Sequence, residues 1–193
     1  PMSNKSTPDK APPPEFSRVY RLTQIHQQPL TLDLSANAEE RAALVRRFGL
    51  VGLERLDATL TLTADGEDIL ADGTLRADVE QACVATGEPL AVHLDEPLLL
   101  RFVPEPEIVE TEPDDGEIAD ASDGDARDIV HFEGGAIDVG EALAETLLLS
   151  LDPYPRSPGA DQFLKQKGVL SEEDAGPFGA LASLRDALGK SDQ

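Results

Sequence analysis

Leu56-Asp-Ala-Thr-Leu-Thr-Leu-Thr-Ala-Asp-Gly-Glu-Asp-Ile-Leu-Ala-Asp-Gly-Thr-Leu-Arg-Ala-Asp-Val79 is the stretch on which the fold turns. Leu56, Ala58, Leu60 and Leu62 alternate with Asp57, Thr59, Thr61 and Thr63, and a period of two puts the two sets on opposite faces of a strand. Asp65-Gly66 is a hairpin signal, because such a turn needs residues that tolerate positive φ. Ile69, Ala71, Leu75, Ala77 and Val79 then resume the alternation towards Cys83, with Gly73 read as a bulge or a close backbone approach. Leu90, Val92 and Leu94 alternate next, Glu96-Pro97 interrupts, and Leu98, Leu100 and Phe102 keep the same parity. Proline cannot donate to an internal ladder, so this segment is expected to be one long bent edge strand or two collinear ones. The centre of the chain therefore reads as an antiparallel meander.

Upstream, apolar alternation predicts two short strands, Phe16 to Leu22 and Leu30 to Leu34, separated by a turn containing Pro29. Ser35 or Asn37 can cap a helix with Leu44, Val45 and Phe48 on one face, Arg41, Arg46 and Arg47 adding charge and Gly49 supplying the stop. Downstream, a strand is expected around Ile129 to Phe132. Asp138 with Glu141 three residues later resembles a capping box, and Val139, Leu143, Leu147 and Leu151 give a helical face ending at Asp152-Pro153. Beyond Gly159 the chain reads as polar until Pro177, after which Phe178, Leu181, Leu184 and Leu188 mark a short amphipathic helix closed by Gly189. Hairpin-linked strands, rather than alternating strand and helix, predict an α+β fold: a mostly antiparallel, strongly curved sheet, two main helices and a short C-terminal helix.

Two stretches predict disorder. Pro8 and the run Pro12-Pro13-Pro14 make residues 1–15 an extended tail, with Met2 after Pro1 the expected natural start. Between Pro104 and Asp128 stand eleven acidic residues and one basic residue, Arg127, without apolar periodicity. The expected organisation is a tail (1–15), a domain (16–160) interrupted by the acidic loop 104–128, and a polar linker with a terminal helix (161–193).

The 193 residues carry 16 Lys plus Arg against 38 Asp plus Glu, a formal net charge of −22. Such a chain repels phosphate backbones and anionic headgroups, so neither unaided tight nucleic-acid binding nor a membrane is expected, whereas basic partners are attracted. With six Phe, two Tyr and no Trp, the core falls to Leu, Val and Ala, and a base-stacking platform is not suggested. The single cysteine, Cys83, cannot form an internal disulfide or a cysteine-rich zinc site, and a reducing cytoplasm is the simplest compartment.

No catalytic motif stands out. Dinucleotide-binding glycine motifs, P-loops and nucleophile elbows are missing from the sequence, and His26, His93 and His131 have no metal-ligand spacing. Counting back from Gly124 or Gly116 fails to place acidic residues where a calcium loop needs them. Cys83 reads as a small buried sheet residue without an activating base. No catalytic, cofactor or metal residue is therefore expected. The partner-binding candidates are Tyr154, Pro155 and Arg156, on a stiff proline turn suited to a contact of low entropic cost; the apolar stripe of Phe178, Leu181 and Leu184; and the acidic Asp114, Asp115 and Glu117. The bland alternative for the turn is a helix stop that packs Tyr154 onto the sheet.

Several strings together resemble the YceD-like family of large ribosomal RNA subunit accumulation proteins, particularly its alphaproteobacterial branch. They are Glu39-Glu-Arg-Ala-Ala-Leu44 with Arg47-Phe-Gly-Leu50, Ala77-Asp-Val-Glu-Gln-Ala-Cys-Val-Ala-Thr86 with Glu88-Pro89, Leu100-Arg-Phe102, Ile137-Asp-Val-Gly-Glu141, Leu151-Asp-Pro-Tyr-Pro-Arg156 with Pro158-Gly-Ala160, and Pro177-Phe178. The resemblance implies a noncatalytic factor needed for accumulation of large-subunit ribosomal RNA, often encoded beside a small basic ribosomal protein. A basic ribosomal protein or a large-subunit precursor particle is thus the expected partner, with direct ribosomal-RNA binding as the alternative and a hydrolytic enzyme more remote. Other branches carry a C-x-x-C pair in the central strand region and further cysteines after the proline turn. Here Thr86 stands at the second position of that pair and Arg156-Ser157 follow the turn.

Overall fold

A computed structural model describes residues 14–105 and 127–169. In chain order its elements are β1 (Val19–Arg21), α1 (Leu22–Ile25), β2 (Leu30–Ser35), α2 (Ala38–Phe48), β3 (Gly52–Asp65), β4 (Asp68–Ala82), β5 (Pro89–Pro104), β6 (Asp128–Phe132), β7 (Ala136–Asp138), α3 (Val139–Ser150) and α4 (Ala160–Gln166). The class is α+β with a mostly antiparallel sheet. The described residues form two compact units, one of 14–79, 92–105 and 127–151, the other of Glu80–Ala91 and 152–169.

In the first unit, the alternation in β3 and β4 becomes burial. Leu56, Ala58, Leu60, Leu62, Ile69, Ala71, Leu75, Ala77 and Val79 are all buried, and they share one core with Leu44 of α2 and Leu143 and Leu147 of α3. The opposite face of the strands carries charge. Arg76 reaches Asp95 at 3.2 Å, and Asp78 lies 2.7 Å from His93. Exposed pairs of this kind fix register more than they add stability. The hairpin forms at Gly66-Glu67, as Asp65-Gly66 signalled. Gly73 is a close approach: a Cβ there would stand 2.6 Å from Leu60 Cα, and closer still to Thr59 O.

The five-stranded sheet has the order β2-β3-β4-β5-β6, and β2 pairs antiparallel with β3 through Leu32↔Leu60 and its neighbours. β5 is one 16-residue strand, and the edge position expected for it holds only in part. β6 covers it from Leu100↔Asp128 to Pro104↔Phe132, in parallel, so Pro97 falls in the part that β6 leaves open. Pro104 and Asp128 end strands rather than belonging to a loop, and residues 106–126 of the expected acidic loop lie outside the described residues.

The N-terminal strand corrects the sequence reading. Only Val19–Arg21 is extended, and its partner is β7, with Tyr20↔Ile137 at the centre of a separate two-stranded sheet. The one-turn α1, rather than a plain turn at Pro29, follows it. Asp138 fixes this arrangement. Its carboxylate accepts from Ser17 Oγ at 2.5 Å, from Arg18 N at 2.7 Å and from Glu141 N at 3.2 Å, so one side chain caps α3 and holds the N-terminal segment. Gly140 leaves room for that segment, since a Cβ there would lie 2.6 Å from Phe16 O.

Both main helices start and stop as their residues dictate. Asn37, not Ser35, caps α2: its side chain accepts from Glu39 N and Glu40 N while Glu40 accepts from Asn37 N at 2.8 Å. Gly49 ends α2 at φ 65°, a left-handed conformation that glycine adopts at little cost. At α3 the reciprocal half of the capping box goes elsewhere. The Glu141 carboxylate takes two bonds from Arg47 of α2, at 2.6 and 2.9 Å, and Arg47 also reaches Glu15. These carboxylates hold the guanidinium in its charged form more firmly than usual.

Candidate functional site

The second unit contains the proline turn. Pro153 and Pro155 cannot continue α3, and Asp152 stabilises the exit by accepting from Tyr154 N at 2.8 Å. The turn is fastened to the end of β4 and the loop after it. Gln81 Nε2 donates to Asp152 O at 2.9 Å, Val84 N donates to Pro155 O at 2.9 Å, and Ser157 N donates to Cys83 Sγ at 3.3 Å. With its backbone held at three points, the turn leaves Tyr154 73% exposed. Tyr154 is therefore not packed onto the sheet. Arg156 is also largely exposed, 3.5 Å from an exposed Asp161. Tyr154, Pro155 and Arg156 thus lie together on a fastened turn.

Cys83 has surroundings that the sequence did not reveal. It stands one residue past β4, buried at 2% exposure, with its sulfur 3.6 Å from Ser157 Oγ. The Thr86 hydroxyl and the Ser157 backbone N–H lower its pKa to about 6, against the opposing effect of burial, with the Thr86 and Ala85 amides adding to the depression. Thr86 Oγ1 also lies 3.1 Å from Glu88 Oε2, so the thiolate and that carboxylate compete for its single proton. The fold therefore brings Cys83, Thr86 and Ser157 together across 74 residues of chain. One thiol and two hydroxyls do not make the thiolate or imidazole set that zinc requires. Among the described residues no three His, Cys, Asp or Glu side chains converge on a metal position.

Gln81, only 9% exposed, has its Oε1 buried without a partner among the described residues. Two open cavities lie in the first unit. One, of about 310 Å³, is bordered by Leu22, His26 and Gly66; the other, of about 290 Å³, by Phe102, Phe132 and several carboxylates. The remaining partner candidates, Asp114, Asp115, Glu117, Phe178, Leu181 and Leu184, lie outside the described residues, as does most of the expected linker and terminal helix. The linker's first residues form α4, whose seven residues are too few for an apolar period to announce. Among the described residues no helix is long and apolar enough to cross a membrane.

A family model described as "Large ribosomal RNA subunit accumulation protein YceD" matches residues 71–185, more than half of the chain. The match takes in β4 from Ala71 onward, the Cys83 loop, α3 and the proline turn. Glu39–Leu50 lies outside it. No curated protein and no solved structure matches the chain.

Proposed function

The chain belongs to the YceD family of large ribosomal RNA subunit accumulation proteins, and from that premise we propose that it supports accumulation of that RNA by binding rather than by catalysis. Its partner in this reading is a basic ribosomal protein, free or on a large-subunit precursor particle, and the cytoplasm is the compartment that such a task requires. The charge carries the proposal. A net charge of −22 favours a cationic chain and disfavours bare RNA, and its field speeds encounter as well as shielding the partner from unspecific RNA contacts. The fastened turn with Tyr154 and Arg156 supplies a second, more local contact.

A titration of the full chain against a basic ribosomal protein and against naked large-subunit RNA, at rising salt, tests the reading. Binding to the protein should be tight at low salt and weaken steeply, because the screening length falls from about 10 Å at 0.1 M to about 3 Å at 1 M. Tight binding of naked RNA at physiological salt, with no binding of the basic protein, would transfer the role to direct RNA recognition.

A further inference from the structure

β6 is the last strand of its sheet, and the cavity beside it has an unusual lining. β5 pairs with one side of β6, and among the described residues no strand pairs with the other. An open edge of this kind presents backbone donors and acceptors to any extended chain. Ile129, 47% exposed on the same strand, adds an apolar contact. Next to this edge, Phe102, Val130 and Phe132 form the apolar part of the cavity of about 290 Å³, and Glu133, Glu141 and Glu145 give it carboxylates. Glu141 is already bound to Arg47, and Asp138, also lining the cavity, to Ser17 and Arg18. The side chains of Glu133 and Glu145 have no hydrogen bond or ion pair among the described residues. His131 is the one lining residue able to carry positive charge.

We propose that the open edge of β6 and this groove form a docking surface for an extended basic segment of a protein partner. The segment adds as a strand beside β6 and places a Lys or Arg side chain in the cavity that Glu133 and Glu145 line. Strand addition draws affinity from main-chain bonds and specificity from pockets that take alternate side chains, and an apolar floor with unpaired carboxylates suits a chain in which apolar and basic residues alternate. The chain's own connection from β5 to β6 is a poor occupant, since residues 106–126 hold nine acidic residues and no basic one. This inference rests on the reading of a cationic partner and gives that partner a place and a mode.

The test uses the isotope-labelled full chain and a short peptide alternating Lys and Val, with a twin N-methylated at alternate residues. The Lys-Val peptide should shift the amide signals of β6 and slow their hydrogen exchange. The N-methylated twin, which keeps the charge but loses strand donors, should bind about tenfold more weakly, as should the Lys-Val peptide with the double variant Glu133→Gln/Glu145→Gln. Both substituted residues are exposed, and an unchanged melting temperature confirms that the variant is folded. Equal binding by the variant, with shifts away from β6, overturns the docking site and leaves the cationic partner standing. Loss with the variant but not with the N-methylated twin overturns strand addition. If neither the peptide nor a basic ribosomal protein binds at physiological salt, the site and the function reading fall together.

Discussion

At Gly73 the sequence signal and the structural reason coincide. A glycine inside an alternating strand suggests crowding, and the crowding is the backbone of Thr59 and Leu60 on β3. Because the obstacle is backbone rather than a movable side chain, Gly73→Ala should cost about 2–4 kcal/mol in urea unfolding. Cys83 is the opposite case, since nothing adjacent in sequence announces Ser157. Its depressed pKa makes stability depend on pH. Between about 6 and the ordinary thiol value of 9.0 the folded protein has lost a proton that the unfolded chain retains, so stability rises with pH through that window and the gain is lost as pH falls through about 6. The urea midpoint of Cys83→Ser should rise less over the same window than that of the unchanged protein. Thr86→Val removes the largest cause of the shift, and the thiolate ultraviolet absorbance should then appear at higher pH.

Elements that carry their own period were legible: β3 and β4 from alternation, α2 and α3 from caps and apolar faces. α1 and α4 were not, because four and seven residues are too short to show a period or to be stable without packing. β1 was seen too long and its partner was missed, since Val19↔Asp138 joins residues far apart in the chain and no local pattern encodes that pairing. Asp138 locks the pairing to the start of α3. Asp138→Ala should therefore cost about 2–3 kcal/mol, more than an ordinary cap, because a partly buried hydroxyl and a backbone amide lose their acceptor together; thermal unfolding measures this. The proline turn yields a contrasting expectation. With its backbone fastened through Gln81, Val84 and Ser157, replacing Tyr154 and Arg156 by Ala should leave the melting temperature nearly unchanged and lower association with a large-subunit precursor about tenfold or more. A large fall in melting temperature would return both side chains to a structural role.

Over the whole molecule the net charge of −22 should act on folding and on the proposed binding with opposite sign. Like charges repel within the folded chain, and added salt relieves that repulsion, so moderate salt should raise the melting temperature. On the proposed reading the same screening weakens the attraction for a basic partner. Calorimetry and a binding isotherm across one salt series should therefore move in opposite directions, which separates an electrostatic surface from general destabilisation. Arg47 and Arg18 illustrate why the fold tolerates such an excess of carboxylates: each reaches acidic residues from a different part of the chain, Arg47 both Glu15 and Glu141, and Arg18 Glu40 by two bonds.

The sequence by itself determined the α+β class, the meander, the two main helices with their caps, the family strings and the acidic charge, because each depends on periodicity, capping chemistry or composition, which are local or additive. Tertiary structure decided what depends on distant residues meeting: β1 against β7, β6 parallel to β5, Arg47 between Glu15 and Glu141, and Cys83 under the Thr86 and Ser157 donors. It likewise decided that Tyr154 faces solvent, since a proline turn sets the path of the backbone while the packing around it sets where a side chain can go.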